Sequence, residues 1–228
     1  MRTIVLWDID QTLLYTGGAG MTGMRRAFRD LYGVEDTFGR VEFSGRTDRA
    51  IFRDEAIQHG FDAQRIASEL PRYIDAYIPH LETAMREATD GTLKPGVIEV
   101  LAALLSRDDV VQGLGTGNFR RAAESKLRFF DLHGYFPGCI GGFGEDSEDR
   151  HEVIAAGIER LRNGATDSRF VIIGDTPNDV SAAKANGAFA LAVATGGHSV
   201  DDLIACGADI ALADLSDVER AVSVIVGA

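Results

Sequence analysis

Apolar runs of strand length recur along the chain, and most adjoin a stretch whose apolar positions return at helical spacing. Thr3–Trp7 is a continuous apolar run, and Val110–Gly115 follows a helix-like segment, Val97–Leu105. Arg169–Ile173 precedes a helix expected from about Asp179 to Asn186, and Ala188–Val193 follows it. Asp209–Leu212 reads as a last short strand before a helix over Asp217–Val226. Strands that are apolar on both faces, alternating with helices, predict parallel βαβ units and a sheet covered on each side. Between Leu13 and about Leu93 the pattern is helical only, over Thr22–Leu31, Arg46–His59 and Asp62–Glu87. Such a stretch is too long for a simple crossover and reads as a separate helical subdomain. Thr16–Gly20 and Asp90–Gly96 have the glycine and proline content of its two linkers. The expected fold is α/β: a Rossmann-like, doubly wound parallel sheet from residues 1–14 and 94–228, with residues 15–93 as the helical insert.

Composition narrows the function. A chain of 228 residues that is 45% hydrophobic can bury a substantial core. Its 35 acidic against 23 basic residues give a formal charge of −12, which disfavours a nucleic-acid partner because a phosphate track calls for a basic face. No apolar run approaches the ~18 residues of a membrane helix. The first apolar run is cut short by Asp8 and Asp10, unlike a signal peptide. The expectation is a cytoplasmic protein without a membrane partner. Cys139 and Cys206 have no metal-binding or disulfide spacing.

The chemistry gathers where strands end. Asp8 and Asp10 directly follow the first strand, and side chains two apart on extended backbone point the same way. Two like charges so placed call for compensation, and magnesium accepts one or two carboxylates together with water and phosphate. The plainer alternative is a pair of turn aspartates. A second strand ends in Gly174-Asp175-Thr176-Pro177-Asn178-Asp179. In doubly wound sheets ligands bind beyond the carboxyl ends of the strands, so Asp175 and the Asp8/Asp10 pair are expected to converge on one ion. Asp179 is expected to support that site, or simply to cap the next helix. A third strand end, Thr116-Gly117-Asn118, offers a hydroxyl and helix-opening amides, which suit either an anion or an N-cap.

These three strand ends, in this order, resemble the motifs of the haloacid dehalogenase superfamily of phosphohydrolases, with the helical insert similar to its C1 cap and the phosphoglycolate-phosphatase-like group the best fit. The resemblance implies a magnesium-dependent phosphatase acting on a small phosphorylated metabolite. Asp8 would be the nucleophile, Asp10 the acid and base, and Thr116 a donor to the phosphoryl group. Magnesium would be held by Asp8, the backbone carbonyl of Asp10, and Asp175. Gln11 stands where many relatives have glycine, which predicts a crowded loop.

The cation that the family places near the phosphate has two candidates. Lys126 lies on the apolar side of its helix, but about 10 Å along it from the strand ends. Arg150 opens the helix Arg150–Leu161 close to that edge and is favoured, although a cation there opposes the helix dipole. In the insert, Ser44-Gly45-Arg46-Thr47-Asp48 reads either as a plain helix cap or as a start at which Arg46 and Thr47 close over an anionic substrate. No lysine precedes Lys94, which disfavours the branch of the family that uses a cap lysine as a Schiff-base amine. Gly17, Gly18 and Gly20 match no phosphate-loop pattern and read as hinge glycines. The five histidines show no paired spacing. The competing functions are a sugar-phosphate mutase of the β-phosphoglucomutase kind and, in another class, a receiver-like signalling module, which would have no reason for the insert.

Overall fold

The computed structural model describes residues 2–35, 37–164 and 167–227, so the outermost residues of the expected division, Met1 and Ala228, lie outside them. Strand β1 (Arg2–Trp7) runs through the middle of a six-stranded sheet. Its neighbours are β4 (Val110–Gly115) on one side and β6 (Ser168–Gly174) on the other, both parallel to it. The sheet continues to β5 (Gly141–Gly142) beyond β4, and to β7 (Phe189–Val193) and β8 (Ile210–Leu212) beyond β6. The chain therefore winds one way from β1 to β5, then crosses back to build β6 to β8. That reversal places the carboxyl ends of β1, β4 and β6 side by side, where a doubly wound sheet opens a crevice.

Alternation within β1 explains why it reads as one apolar block. Val5 and Trp7 join one core layer, with Val97, Leu101 and Leu104 of α4 (Val97–Leu105) and Ile225 of α9 (Val218–Val226). Ile4 and Leu6 face the opposite layer, with Ile154 of α6 (Arg150–Arg162), Val180 of α7 (Pro177–Ala185) and Leu203 of α8 (Val200–Ala205). Both faces are covered, so from Ile4 to Trp7 no polar position is left to mark the period.

The insert holds α1 (Ala19–Tyr32), α2 (Asp48–Gln58) and α3 (Ala63–Glu87) around its own aromatic cluster. Phe52 stacks on Tyr73 at 4.3 Å, and Phe28 meets Tyr32 edge-on at 4.6 Å. Gly23 permits the close crossing of α1 and α3, since a Cβ there would lie 2.8 Å from the Leu81 nitrogen.

Four features differ from the sequence expectation. The two linkers pair with each other as an antiparallel ribbon, β2 (Leu14–Tyr15) with β3 (Thr92–Leu93), each too short to show alternation. Strand β5 is two glycines, which read as loop; a Cβ on Gly142 would sit 1.8 Å from the Val153 carbonyl oxygen, so the edge strand tolerates nothing larger. Helix α8 is short and was not expected from the periodicity. Helix α7 starts at Pro177, two residues before the expected Asp179, because proline suits the first helical position. Among the described residues no helix is long and apolar enough to cross a membrane.

Candidate active site

Asp8 is fixed by the sheet itself: its backbone N–H donates to the Ile173 carbonyl at 2.9 Å, tying the turn after β1 to β6. Ile9 points into the core, so Asp8 and Asp10 share the opposite side and both line a cavity of about 340 Å³ beyond the strand ends. Their environments diverge from there. Asp8 is nearly buried, and its Oδ1 accepts from Arg150 Nη2 at 2.8 Å. The Asp10 side chain is 41% exposed, and its Oδ2 accepts from Lys126 Nζ at 2.5 Å and Asn118 Nδ2 at 2.8 Å.

Both candidate cations therefore belong to the site, one on each aspartate. The distance argument against Lys126 does not hold. Helix α5 (Arg120–Phe129) begins close to the strand ends, and a long side chain on a helix leans back toward the N-terminus, so the ammonium recovers much of the ground the backbone has covered. Arg150 is buried at the start of α6, and the dipole penalty is met by carboxylates. Besides Asp8, its guanidinium donates to Asp179 Oδ1 from both Nη2 (2.6 Å) and Nε (3.1 Å), and to the Gly115 carbonyl at 2.9 Å. These partners keep it protonated despite its burial.

Asp8, Asp175 and Asp179 bring one carboxylate oxygen each within 4.8 Å of one another. Burial, followed by the charges of Asp179 and Asp8, pushes the Asp175 carboxyl up to about 8. Burial also raises Asp8 to about 6, against the lowering pull of Arg150. The three are not equivalent. Asp179 has both oxygens occupied: Oδ1 by Arg150, and Oδ2 by the backbone N–H (3.1 Å) and hydroxyl (2.7 Å) of Thr176, in a capping box at the start of α7. Among the described residues, Asp8 and Asp175 each keep one oxygen without a hydrogen bond, and the Asp175 Oδ1 accepts only from the Thr12 hydroxyl, at 3.3 Å. The Asp10 side chain stands outside this trio, on Lys126, and its backbone carbonyl accepts no hydrogen bond among the described residues.

The third strand end works less directly than its sequence suggests. Thr116 is fully buried and does not line the cavity; its Oγ1 accepts from Asn118 Nδ2 at 2.8 Å and from the Asn118 N–H at 3.3 Å. Asn118 is the residue that reaches inward, linking Thr116, Asp10 and Lys126. Gly117 receives the insert: its carbonyl accepts from the Asp48 N–H at 2.7 Å, and a Cβ on it would lie 2.2 Å from the Arg46 carbonyl oxygen. Arg46 itself is held by Asp54 at 2.6 Å. The Thr47 hydroxyl caps α2 by accepting from the Ala50 N–H and donates to the Glu148 carbonyl, each at 3.2 Å.

Further residues stand at the cavity beside the expected ones. Gln11 sits at φ 65°, a left-handed position that explains why glycine suits it, and Lys94 from the second linker donates to its side chain and to the Thr195 carbonyl. Asp48 and Tyr77 also line the cavity from the insert. A lone aspartate in a helix's first turn looks like a cap, and a tyrosine at helical spacing looks like core, so neither gave a signal in one dimension.

The comparisons agree with this architecture. The chain is 26% identical over 220 residues to the Dickeya dadantii (strain 3937) protein named "Probable phosphatase IndB", covering 96% of this chain and 92% of that protein. CbbY from Rhodobacter sphaeroides, solved with phosphate, superposes with a TM-score of 0.71 at 19% identity over 95% of this chain and 96% of its own. A hydrolase from Pseudomonas syringae gives 0.70 at 17% identity over 99% of both chains. Residues 5–193 match the family described as haloacid dehalogenase-like hydrolase. By that match, which runs from the first strand through the last of the strand-end acids, the chain belongs to the haloacid dehalogenase-like hydrolase family.

Proposed function

We propose that this protein is a magnesium-dependent phosphatase that hydrolyses the phosphate monoester of a small metabolite through an aspartyl-phosphate on Asp8. The observation that carries this reading is the unequal environment of two aspartates on one wall. Asp8 is buried, oriented by Arg150 and left with one open oxygen beside Asp175. Asp10, two residues on, is open to the cavity and held by Lys126 and Asn118. Carboxyl pairs whose surroundings differ in this way take different roles.

In the first step the open oxygen of Asp8 attacks phosphorus, the bond from phosphorus to the ester oxygen breaks, and Asp10 gives its proton to the departing alkoxide. In the second, Asp10 takes a proton from water, the resulting hydroxide attacks phosphorus, and inorganic phosphate leaves with Asp8 restored. Phosphoryl transfer demands mainly positioning and neutralised charge, which Lys126 and Arg150 supply from opposite sides. The donor set also fits a hard divalent cation. Among the described residues one oxygen each of Asp8 and Asp175 and the Asp10 carbonyl accept no hydrogen bond, and burial raises the Asp8 and Asp175 carboxyls, so their charged forms call for a compensating cation. Magnesium bound by these groups would offset the repulsion between anionic nucleophile and anionic ester.

The test is phosphate release from p-nitrophenyl phosphate with magnesium and with a chelator. The wild type should turn over only with the metal, and Asp8→Asn should lose on the order of 10⁴-fold or more. Borohydride reduction of the acid-quenched wild type should mark the peptide carrying Asp8. Turnover by Asp8→Asn at the wild-type rate would overturn covalent catalysis at this residue.

A further inference from the structure

The reaction above needs only the core wall of the cavity. The wall contributed by the insert is made differently. It carries Met24, Phe43 and Ile51, and among its polar residues are Asp48 and Tyr77, which the chemistry leaves unused. Tyr77 is 1% exposed, and its hydroxyl has no hydrogen-bond partner among the described residues. A Cβ placed on Gly20 would lie 3.7 Å from both that hydroxyl and Lys126 Nζ, so the phenol stands near the ammonium that holds Asp10. Asp48, 8% exposed, gives one oxygen to the Phe119 N–H at 2.8 Å; the other has no partner among the described residues. Among the described residues Ser168 Oγ is the buried side-chain polar atom without a partner, so the Tyr77 hydroxyl and the open Asp48 oxygen are accessible from the cavity, where a ligand group can meet them.

Nothing on this wall is ready for a second anion. Arg46, the one cation of the insert at the cavity among the described residues, is already paired with Asp54. Lys126 and Arg150 belong to the opposite wall, on Asp10 and on Asp8 with Asp179. We propose that Asp48 and Tyr77 select the leaving group, so that the site takes phosphate monoesters of alcohols bearing a hydroxyl or ammonium donor on an apolar frame and rejects those bearing a second anion. The donor of the leaving group meets the open oxygen of Asp48, and Tyr77 donates to, or accepts from, the same end of the molecule. Burial holds the Asp48 carboxyl at about 7; an approaching donor favours its charged form, whereas a second anion opposes it. A second phosphate or a carboxylate would be brought out of water beside the Asp48 carboxylate, and Lys126, whose charge reaches Asp48, is already held by Asp10 and Asn118.

This selection rests on the phosphatase reading, and the experiment separates the two. The probes are propane-1,3-diol monophosphate and its analogues with an amino, carboxylate or second phosphate group at the far end. Binding to the Asp8→Asn protein with magnesium is measured by calorimetry, and turnover by the wild type, with p-nitrophenyl phosphate as the generic ester. The hydroxyl and amino esters should bind at least tenfold more tightly than the carboxylate and bisphosphate. Asp48→Asn, which keeps an acceptor for the Phe119 N–H, should reduce the preference for the amino over the carboxylate ester at least fivefold. Tyr77→Phe should reduce the preference for the hydroxyl ester. Because these are ratios within one variant, damage to folding does not produce them. If the order of binding holds but no ester is hydrolysed, the selection stands and the phosphatase reading falls. If p-nitrophenyl phosphate is hydrolysed while the carboxylate or bisphosphate binds as well as the others, or if both variants leave the ratios unmoved, the selection is overturned.

Discussion

The two walls of the cavity obey different physical rules. On the core wall each acid has at least one partner: Asp8 and Asp179 meet Arg150, Asp10 meets Lys126 and Asn118, and Asp175 meets the Thr12 hydroxyl. These groups stand on strand ends and helix starts fixed by the sheet. The insert wall is held to the core through backbone contacts, such as the Asp48 N–H on the Gly117 carbonyl and the Asn178 side chain on the Gly45 carbonyl at 2.9 Å. Its Tyr77 side chain, unlike any acid of the core wall, has no hydrogen-bond partner among the described residues. A rigid, compensated wall suits chemistry common to many esters, and a wall of apolar side chains with a few open polar groups suits recognition of one of them.

The comparison breaks most visibly at Arg150. Arg150→Ala leaves Asp8 and Asp179 buried without their cation, which should cost roughly 3–5 kcal/mol of stability and abolish turnover. Lys126→Met, beside a half-exposed Asp10, should lower turnover by about 10²-fold with a much smaller fall in stability. Thermal melts and p-nitrophenyl phosphate kinetics on both variants check the contrast; equal stability losses would contradict it.

The pH dependence comes next. The Asp175 carboxyl is raised from 3.8 to about 8 in the folded protein. Between those values the native state holds a proton that the unfolded chain has lost, so this group's contribution to stability falls as pH rises through the window. In a chelator, Asp175→Asn should therefore gain on the wild type as pH goes from 4 to 8, by on the order of 2 kcal/mol at the upper end. Melting both proteins across that range tests the sign. Added magnesium should raise the wild-type melting temperature most near pH 8.

Smaller effects probe the join between the walls. Gly117→Ala pushes a methyl against the Arg46 carbonyl oxygen and should lower kcat/KM about tenfold, with roughly 1–3 kcal/mol of destabilisation. An unchanged kcat/KM would mean that the approach of the insert to this loop plays no part in turnover. Gly20→Ala meets only ordinary contacts, in a helix where alanine is preferred. It should stabilise by up to about 1 kcal/mol while narrowing the cavity between Tyr77 and Lys126, lowering kcat/KM a few-fold.

The parallel sheet was legible because a strand buried on both faces is mostly apolar, as Ile4–Trp7 is throughout and Val110–Gly115 is apart from Gln112. The insert was legible as an interruption of that rhythm. The linker ribbon β2–β3 and the glycine strand β5 were not, since two residues carry no period and a glycine pair reads as a turn. Asp8, Asp10 and Asp175 stood out because acids that end apolar runs fall at strand tips. The reach of Lys126 was misjudged because rise per residue locates a backbone, not the end of a long side chain.

By itself, then, the sequence determined which elements form and which acids stand at their ends, because burial and strand period are local and leave their mark residue by residue. Which cation meets which acid, which oxygens stay open, and that Tyr77 and Asp48 face the core wall were decided only by the tertiary structure. Those facts depend on distances between segments far apart in the chain, set by how the insert settles on the sheet, and no local pattern records them.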